Sequence, residues 1–261
     1  MPTPAVSVLM PFHGAAPFLG ASIASVCAQT RTDWELMLVA DAPGAEARAV
    51  ARAAAEGDPR IRLLDTGARG PAGRGAAQAR NLGLAQARGG HIAFLDADDL
   101  WAPEKLERQL AFMAETGATL SHTAYIRASG EHRTRVAARD RLDYAAMLGP
   151  NPMGCLTVIY DRHRLGAQPM PELPLQHDYA LWLRLVRLGG PARGLDEVLA
   201  TYRVAPASLS ADKRAAVRDI WRVWRREEGL SRRRSAGALW RYAVFSLRHR
   251  RGGIGRLLPG R

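Results

Sequence analysis

His91 to Trp101 reads HIAFLDADDLW, and its two halves pull in opposite directions. Ile92, Ala93, Phe94 and Leu95 are a short, uninterrupted apolar run that suits a buried parallel strand. Three carboxylates follow within four residues, Asp96, Asp98 and Asp99, and Pro103 is placed to open a helix. Carboxylates crowded at the carboxyl end of a buried strand repel one another and resist desolvation. A divalent cation with oxygen ligands relieves both effects, and Mg²⁺ characteristically combines one or two carboxylates with substrate phosphates. The same residues also read as an acidic turn that caps the next helix.

Working outward, the apolar runs alternate with helical periodicity. Val6–Met10 reads as a first strand ended by Pro11, and Phe18, Leu19, Ile23, Val26 and Cys27 share one helical face. Glu35–Ala40 is a second strand ending at Asp41, and Ala45–Glu56 is an Ala-rich helix. Ile61–Leu64 is a third strand, and Ala76–Ala87 is helical. After Trp101 a helix is expected to turn Leu106, Leu110 and Met113 inward and stop at Gly117. Strand alternating with helix predicts an α/β fold, its mixed, mostly parallel sheet covered by helices on both faces. In such sheets ligands bind outside the carboxyl ends of the strands. Pro11–Gly14, Asp41 and Asp96–Asp99 all lie at such ends, so three loops converge on one rim.

Beyond Gly117 strands are expected at Thr119–Tyr125, Cys155–Tyr160 and Val198–Val204. A helix over Tyr179–Leu188 has Tyr179, Trp182, Leu183 and Val186 as its apolar face. The strip from Ser129 to Pro152 carries little pattern and is expected to include a mobile loop.

The chain has 261 residues, 47% hydrophobic and 24% charged, which suits one large α/β domain with an appendage. No apolar run approaches the ~20 residues that span a bilayer, and the first residues show no basic region of a secretory signal. Cys27 and Cys155 fit no metal or redox spacing and read as reduced, buried small hydrophobes of a cytoplasmic protein. Charge divides the chain sharply. Residues 213–261 hold 15 Lys and Arg against three acids, while residues 1–212 hold 22 of each, so the whole net charge of +12 lies in the last fifth. That asymmetry marks a neutral domain over 1–212 followed by a basic amphipathic helical tail over 213–261.

The acidic stretch resembles the D-x-D region of glycosyltransferase family 2, the inverting, nucleotide-sugar-dependent enzymes of the GT-A fold. Other segments are similar to the same family. Ala40-Asp41 matches its pair of aspartates, with only the second carboxylate retained; the resemblance implies that Asp41 meets the nucleobase, and an Asx turn is the alternative. Pro11-Phe12-His13-Gly14 matches a Pro-x-aromatic-Asn stretch, with His13 and Gly14 departing from it. Ala79-Arg80-Asn81-Leu82-Gly83 resembles an Ala-Arg-Asn-x-Gly signature, in which Arg80 would neutralise a diphosphate unless it is a solvated helix arginine. His177-Asp178, ahead of LWLRLVRLGG, resembles the Glu-Asp-x-x-Leu-Trp-x-Arg motif whose aspartate is the catalytic base. Asp178 also reads as an N-cap, and the two roles are compatible. Tyr202-Arg203 with Ser208-Leu209-Ser210 resembles a segment near the active site, with Ala205 in place of its His. The Gly-rich run Gly67–Gly75 lacks phosphate-loop spacing.

The resemblance covers roughly residues 5–210. It implies an inverting hexosyltransferase that uses Mg²⁺ or Mn²⁺ held by Asp98 and Asp96, with Asp99 supporting the loop. Pro11, Phe12, Asp41, Arg80, Asp96 and Arg203 would bind a nucleotide-sugar donor, UDP-linked, and Asp178 would activate a glycan or lipid-linked acceptor in bacterial-type surface polysaccharide assembly. A nucleotidyltransferase would place a Gly-rich basic loop after the first strand, where this chain has Pro11–Gly14. A nucleic-acid binder acting through the tail leaves the acidic rim unexplained, so no nucleic acid is expected. The tail pairs apolar with basic residues: Val217, Ile220, Trp221 and Trp224, then Leu239, Trp240, Ala243, Val244 and Leu247. Its first helix is expected to pack on the domain. Its second is expected to meet an anionic membrane surface, making the protein peripheral at the inner face of the cell membrane.

Overall fold

The computed structural model describes residues 3–14, 17–68, 73–204 and 213–251. The chain begins β1 (Val6–Gly14), α1 (Leu19–Cys27), β2 (Trp34–Pro43), α2 (Ala45–Gly57), β3 (Ile61–Asp65), α3 (Ala76–Gln86) and β4 (His91–Phe94). It continues with β5 (Leu100–Trp101), α4 (Lys105–Thr116), β6 (Leu120–Ser129), β7 (His132–Val136), β8 (Arg141–Leu142) and α5 (Tyr144–Met147). A 3₁₀ turn (Cys155–Thr157) leads to β9 (Ile159–Asp161), α6 (Arg162–Leu165), α7 (His177–Gly189) and β10 (Ala192–Arg203). The tail comprises α8 (Lys213–Arg222), a π-helical turn (Val223–Glu227) and α9 (Arg232–Arg251).

The described strands form one sheet in the order β3-β2-β1-β4-β9-β6-β10-β5, with β7 on β6 and β8 on β10. β3, β2, β1 and β4 are mutually parallel, β9 runs antiparallel between β4 and β6, and β6 and β10 are again parallel. The α/β expectation of a mixed, mostly parallel, two-sided sheet holds. Alternation along β1 explains the two faces. Val6, Val8, Met10 and Phe12 join α1, α2 and α4 in one buried cluster, whereas Leu9 joins α3, α7 and the tail in the other. In the second cluster Phe94 meets the Trp182 ring edge-on, with centroids 5.2 Å apart.

Several expectations are corrected. Pro11 does not end β1, which runs on to Gly14 beside β2. The Leu9 carbonyl accepts from Leu95 on the β4 side, and residues two apart point the same way. Pro11 therefore aims its missing N–H at the side where β4 has already ended, where no ladder bond is lost. Between the acidic turn and the helix the structure adds a short strand: Leu100–Trp101 pairs antiparallel with β10, which itself starts at Ala192 rather than Val198. Cys155–Thr157 is a 3₁₀ turn and only Ile159–Asp161 is strand. The strip 129–152 is organised as the β6–β7 hairpin, β8 and α5. Cys27 is exposed and Cys155 half-buried, since α1 turns Leu19, Ile23 and Val26 inward instead.

The first part of the tail packs on the domain as expected. Ile220, Val223, Trp224 and Leu230 are buried in the α3–α7 cluster. α9 also packs one face, burying Ser235 and Ala238 with Leu239 and Tyr242 partly covered, while Trp240 stays 72% exposed. Among the described residues no helix is long and apolar enough to cross a membrane.

Candidate active site

Parallel pairing of β2, β1 and β4 brings the loops after all three to one edge of the sheet. Asp41, at the end of β2, is buried and organises the loop that follows β3. Its Oδ1 accepts from the Thr66 hydroxyl at 2.7 Å and the Arg74 amide at 2.8 Å, and its Oδ2 from the Gly75 amide at 2.8 Å. Burial raises a carboxyl's pKa, but these donors hold Asp41 below its ordinary value. Gly73, at φ +63°, passes so close that a Cβ there would lie 2.5 Å from Asp41 Oδ2. His13 Nδ1 is in contact with the Asp41 carbonyl. Phe12 is in the core, so its backbone alone faces the rim. Ala42, just after Asp41, is held at φ +53°, a conformation that non-glycine residues adopt at a cost of about 1–2 kcal/mol.

The acidic turn is built around Arg80. This residue on α3 is buried, not solvated; its Nη2 donates to Asp96 Oδ1 and its Nη1 to His177 Nε2 at 2.9 Å. Against the cost of burial, Asp96 holds the guanidinium firmly charged, its pKa raised. Because Arg80 can only donate, His177 Nε2 accepts, and the proton sits on Nδ1, which donates to the Leu173 carbonyl at 3.3 Å. Burial and then Arg80 lower the His177 pKa, so the imidazole is neutral.

The other two aspartates differ from Asp96. Asp99 is buried: Oδ1 accepts from the Arg203 amide at 2.9 Å, and Oδ2 has no hydrogen-bond partner among the described residues. Burial and Asp96 push its carboxyl up to about 9. Asp98 is half-buried, and burial and Asp96 raise it as well. Arg203 spans the turn, donating to the Asp98 carbonyl at 3.2 Å while its guanidinium lies 4.7 Å from the centroid of the Phe18 ring. Hard carboxylate oxygens, crowded and under-partnered, fit a divalent cation. Among the described residues no three His, Cys, Asp or Glu side chains converge into a closed cage. That suits a metal held by one or two carboxylates with the remaining positions left for phosphate. Ala205 and Ser208–Ser210 lie outside the described residues.

Asp178 is not the N-cap of α7. Gln176 holds that position, at φ +62°, and Asp178 is the second residue of the helix. Its Oδ1 accepts from the Tyr179 amide at 2.7 Å and its Oδ2 from the Asn151 side chain at 3.1 Å. The two described non-glycine residues with positive φ thus lie beside Asp41 and Asp178, and such strain gathers at functional sites. Asn151 carried no signal in the sequence, because it sits in a strip without periodicity. Tyr179 and Trp224 are legible there only as apolar residues, and their polar atoms prove equally engaged.

The acidic turn and the start of α7 thus meet at Arg80. The family model for "Glycosyl transferase family 2" matches residues 7–161. TuaG of Bacillus subtilis (strain 168), named as a teichuronic acid biosynthesis glycosyltransferase, is 34% identical over 250 residues, covering 95% of this chain and 98% of its own. The Escherichia coli UDP-Glc:alpha-D-GlcNAc-diphosphoundecaprenol beta-1,3-glucosyltransferase WfgD is 32% identical over 220 residues, 84% of each chain. The chain belongs to glycosyltransferase family 2. Its fold is GT-A, like that of Staphylococcus aureus TarS 1-349 in complex with UDP-GlcNAc (TM-score 0.71, 17% identity, covering 95% of this chain and 73% of that one). The mannosyltransferase PcManGT from Pyrobaculum calidifontis, in complex with GDP-Man and Mn²⁺, is also similar (TM-score 0.67, 16% identity, covering 96% and 76%).

Proposed function

We propose that this glycosyltransferase moves a hexose with inversion from a UDP-sugar to a lipid-linked glycan acceptor in bacterial surface polysaccharide assembly. One observation carries the reading: the Arg80 guanidinium touches both Asp96 of the acidic turn and His177, the neighbour of Asp178. The group that would face the leaving diphosphate and the group that would face the acceptor therefore share one site. The names of TuaG and WfgD support the polysaccharide setting, and that of WfgD supports a UDP-sugar donor and a diphosphoundecaprenol-linked acceptor.

In the proposed step Asp178 takes the proton of the acceptor hydroxyl as that oxygen bonds to the anomeric carbon. The bond from that carbon to the diphosphate breaks on the opposite face, and UDP leaves. Asp98, with Asp96, would hold Mg²⁺ or Mn²⁺, and PcManGT supports such a metal by its bound Mn²⁺. When bound, the ion would supply Lewis-acid stabilisation of the diphosphate. Asp99 and Arg203 keep the turn in shape. Asp41 fixes the loop that would border the base, with Pro11 and the Phe12 backbone on its other side. A panel of nucleotide sugars assayed for divalent-dependent UDP release tests the proposal: release from a UDP-hexose, lost in Asp98→Ala, is expected. Release that is indifferent to metal and to Asp98→Ala would remove the metal assignment.

Residues 1–212 would carry catalysis and, within the tail 213–261, roughly residues 231–261 the contact with the membrane that bears the acceptor. With Ser235 and Ala238 turned inward, α9 leaves Trp240, Arg233 and Arg241 exposed, which suits a helix lying on anionic lipid at the cytoplasmic face. Binding to anionic vesicles is expected to fall with added salt and with Trp240→Ala combined with Arg241→Ala. Equal binding of the variant and the parent would leave the helix another task.

A further inference from the structure

The first half of the tail touches the catalytic helix by polar contacts that a merely packed helix would not need. Trp224 lies in the π-helical turn, fully buried, and its Nε1 donates to the Tyr179 hydroxyl at 2.9 Å. That hydroxyl donates in turn to the Met147 carbonyl at 2.8 Å and accepts from the Gly149 amide at 3.4 Å. It is thereby saturated, and it ties the segment 147–149 to α7. Two residues further on, the Asn151 side chain reaches Asp178 Oδ2, while the Tyr179 amide holds Asp178 Oδ1. Both oxygens of Asp178 are therefore placed by groups anchored at Tyr179.

A second contact acts on the approach to the helix. Asp219 of α8 is buried and paired with Arg222 at 3.0 Å, and its Oδ2 accepts from the Leu175 amide at 3.2 Å. Leu175 precedes Gln176, whose positive φ aims the chain into His177 and Asp178. A third contact, from the Tyr144 hydroxyl to Glu228 Oε2 at 2.7 Å, fastens α5 to the residue after the π-helical turn. A π-helical turn is a costly local geometry that recurs where a side chain must be re-aimed, and here it presents Trp224 to Tyr179.

We infer that Asn151, Tyr179 and Trp224 are positioning residues for the carboxylate of Asp178, and that the α8–π segment is part of the active site's framework rather than an appendage. The inference rests on Asp178 being the base. Asn151 holds the orientation of the carboxylate directly, Tyr179 holds the loop that carries Asn151, and Trp224 holds Tyr179. Among the described residues, none of the contacts of Asn151, Tyr179 and Trp224 reaches the acidic turn, so their loss should change turnover and leave donor binding alone.

The test uses the full-length protein, with kcat, acceptor KM and UDP affinity by calorimetry measured for each variant. Asn151→Ala, at a half-buried position, removes the hydrogen bond to Asp178 and the one its Oδ1 accepts from the Met153 amide, and is expected to lower kcat by roughly ten- to a hundredfold, the worth of a hydrogen bond to a charged group. UDP affinity should stay within twofold. Tyr179→Phe and Trp224→Phe should lower kcat in the same direction. Each combined with Asn151→Ala should be no slower than Asn151→Ala alone, because they act through it. Multiplying effects, or an Asn151→Ala enzyme of near-normal kcat beside an inactive Asp178→Asn enzyme, would overturn the inference. An active Asp178→Asn enzyme would instead overturn the base assignment on which it stands.

Discussion

The acidic turn after β4 and the start of α7 present carboxylates to the same site but hold them by different means. At the turn, charge answers charge at Asp96, which leans on the buried Arg80, while Arg203 braces the Asp98 carbonyl with its guanidinium and the Asp99 carboxylate with its backbone amide. At α7, the donors to Asp178 are neutral, an asparagine amide and a backbone N–H. A carboxylate that is to receive a proton should not be clamped by a cation, because a fixed positive charge lowers its basicity. A turn that is to meet a diphosphate needs fixed positive charge, or room for a metal, to balance what arrives. Under the proposed mechanism, the contrast in partners is a contrast in chemical duty.

The largest expected effect breaks the two sides separately. Asp178→Asn keeps the shape and one of the two accepted hydrogen bonds but removes the proton acceptor, and turnover should fall by roughly 10²–10⁴-fold with UDP binding largely intact. Asp98→Ala should act on the other side, weakening metal-dependent donor binding first. Stopped-assay rates with calorimetric UDP titrations at saturating and zero Mg²⁺ separate the two. If both variants lose donor affinity equally, the division of duties fails.

How much of this was legible in the sequence follows the same line. The rim could be read because it is local: an apolar run, then a break, at each of three parallel strands, two of them carrying carboxylates, with Asp41 and Asp96–Asp99 where the pattern put them. Arg80 could be named, but its burial could not, since only the packing of α3 beside α7 on one sheet face encloses it. The surroundings of Asp178 were illegible. Asn151 comes from a strip with no periodicity, and Trp224 from a tail whose apolar face conceals the one N–H that matters. β5, two residues long, has no pattern of its own and exists because β10 offers it an edge. Pro11 misled for a geometric reason, as its missing donor costs nothing once β4 has ended.

A second prediction asks whether neutral partners suffice for a buried charge elsewhere. Lys105 lies fully buried at the start of α4, with no carboxylate partner among the described residues. It donates to Gln109 Oε1 and, at 3.4 Å, to the Thr157 carbonyl, beside the Trp101 ring. Burial pulls its pKa down to about 7, against 10.5 for a free lysine. Between those values the unfolded chain binds the extra proton, so stability rises as pH rises through that window. One proton sets a ceiling of about 1.4 kcal/mol per pH unit. Chemical denaturation from about pH 7 to pH 9 should show this rise in the parent and a flatter profile in Lys105→Met. An unchanged slope would show that Lys105 is charged as it stands.

The smallest expected effect lies at the seam between the two sides, at His177. Its neutral imidazole accepts from Arg80 through Nε2, so protonation would turn an acceptor into a donor facing a guanidinium. Burial first, and Arg80 second, lower its pKa below the ordinary 6.5. Below about pH 6.5 the unfolded chain therefore holds the additional proton, and stability falls as pH falls, again by no more than about 1.4 kcal/mol per pH unit. His177→Gln offers an amide oxygen to Arg80 and does not titrate, so the acid slope between pH 6.5 and pH 5 should be shallower than in the parent. Turnover at pH 7.5 should change little, because the contact to Arg80 survives. His177→Leu offers no acceptor and should weaken donor binding as well, by leaving Arg80 half-partnered and free to shift on Asp96. If the Gln and Leu variants match each other in both acid slope and UDP affinity, the imidazole is only filling space between α3 and α7, and the two sides of the site are joined by Arg80 alone.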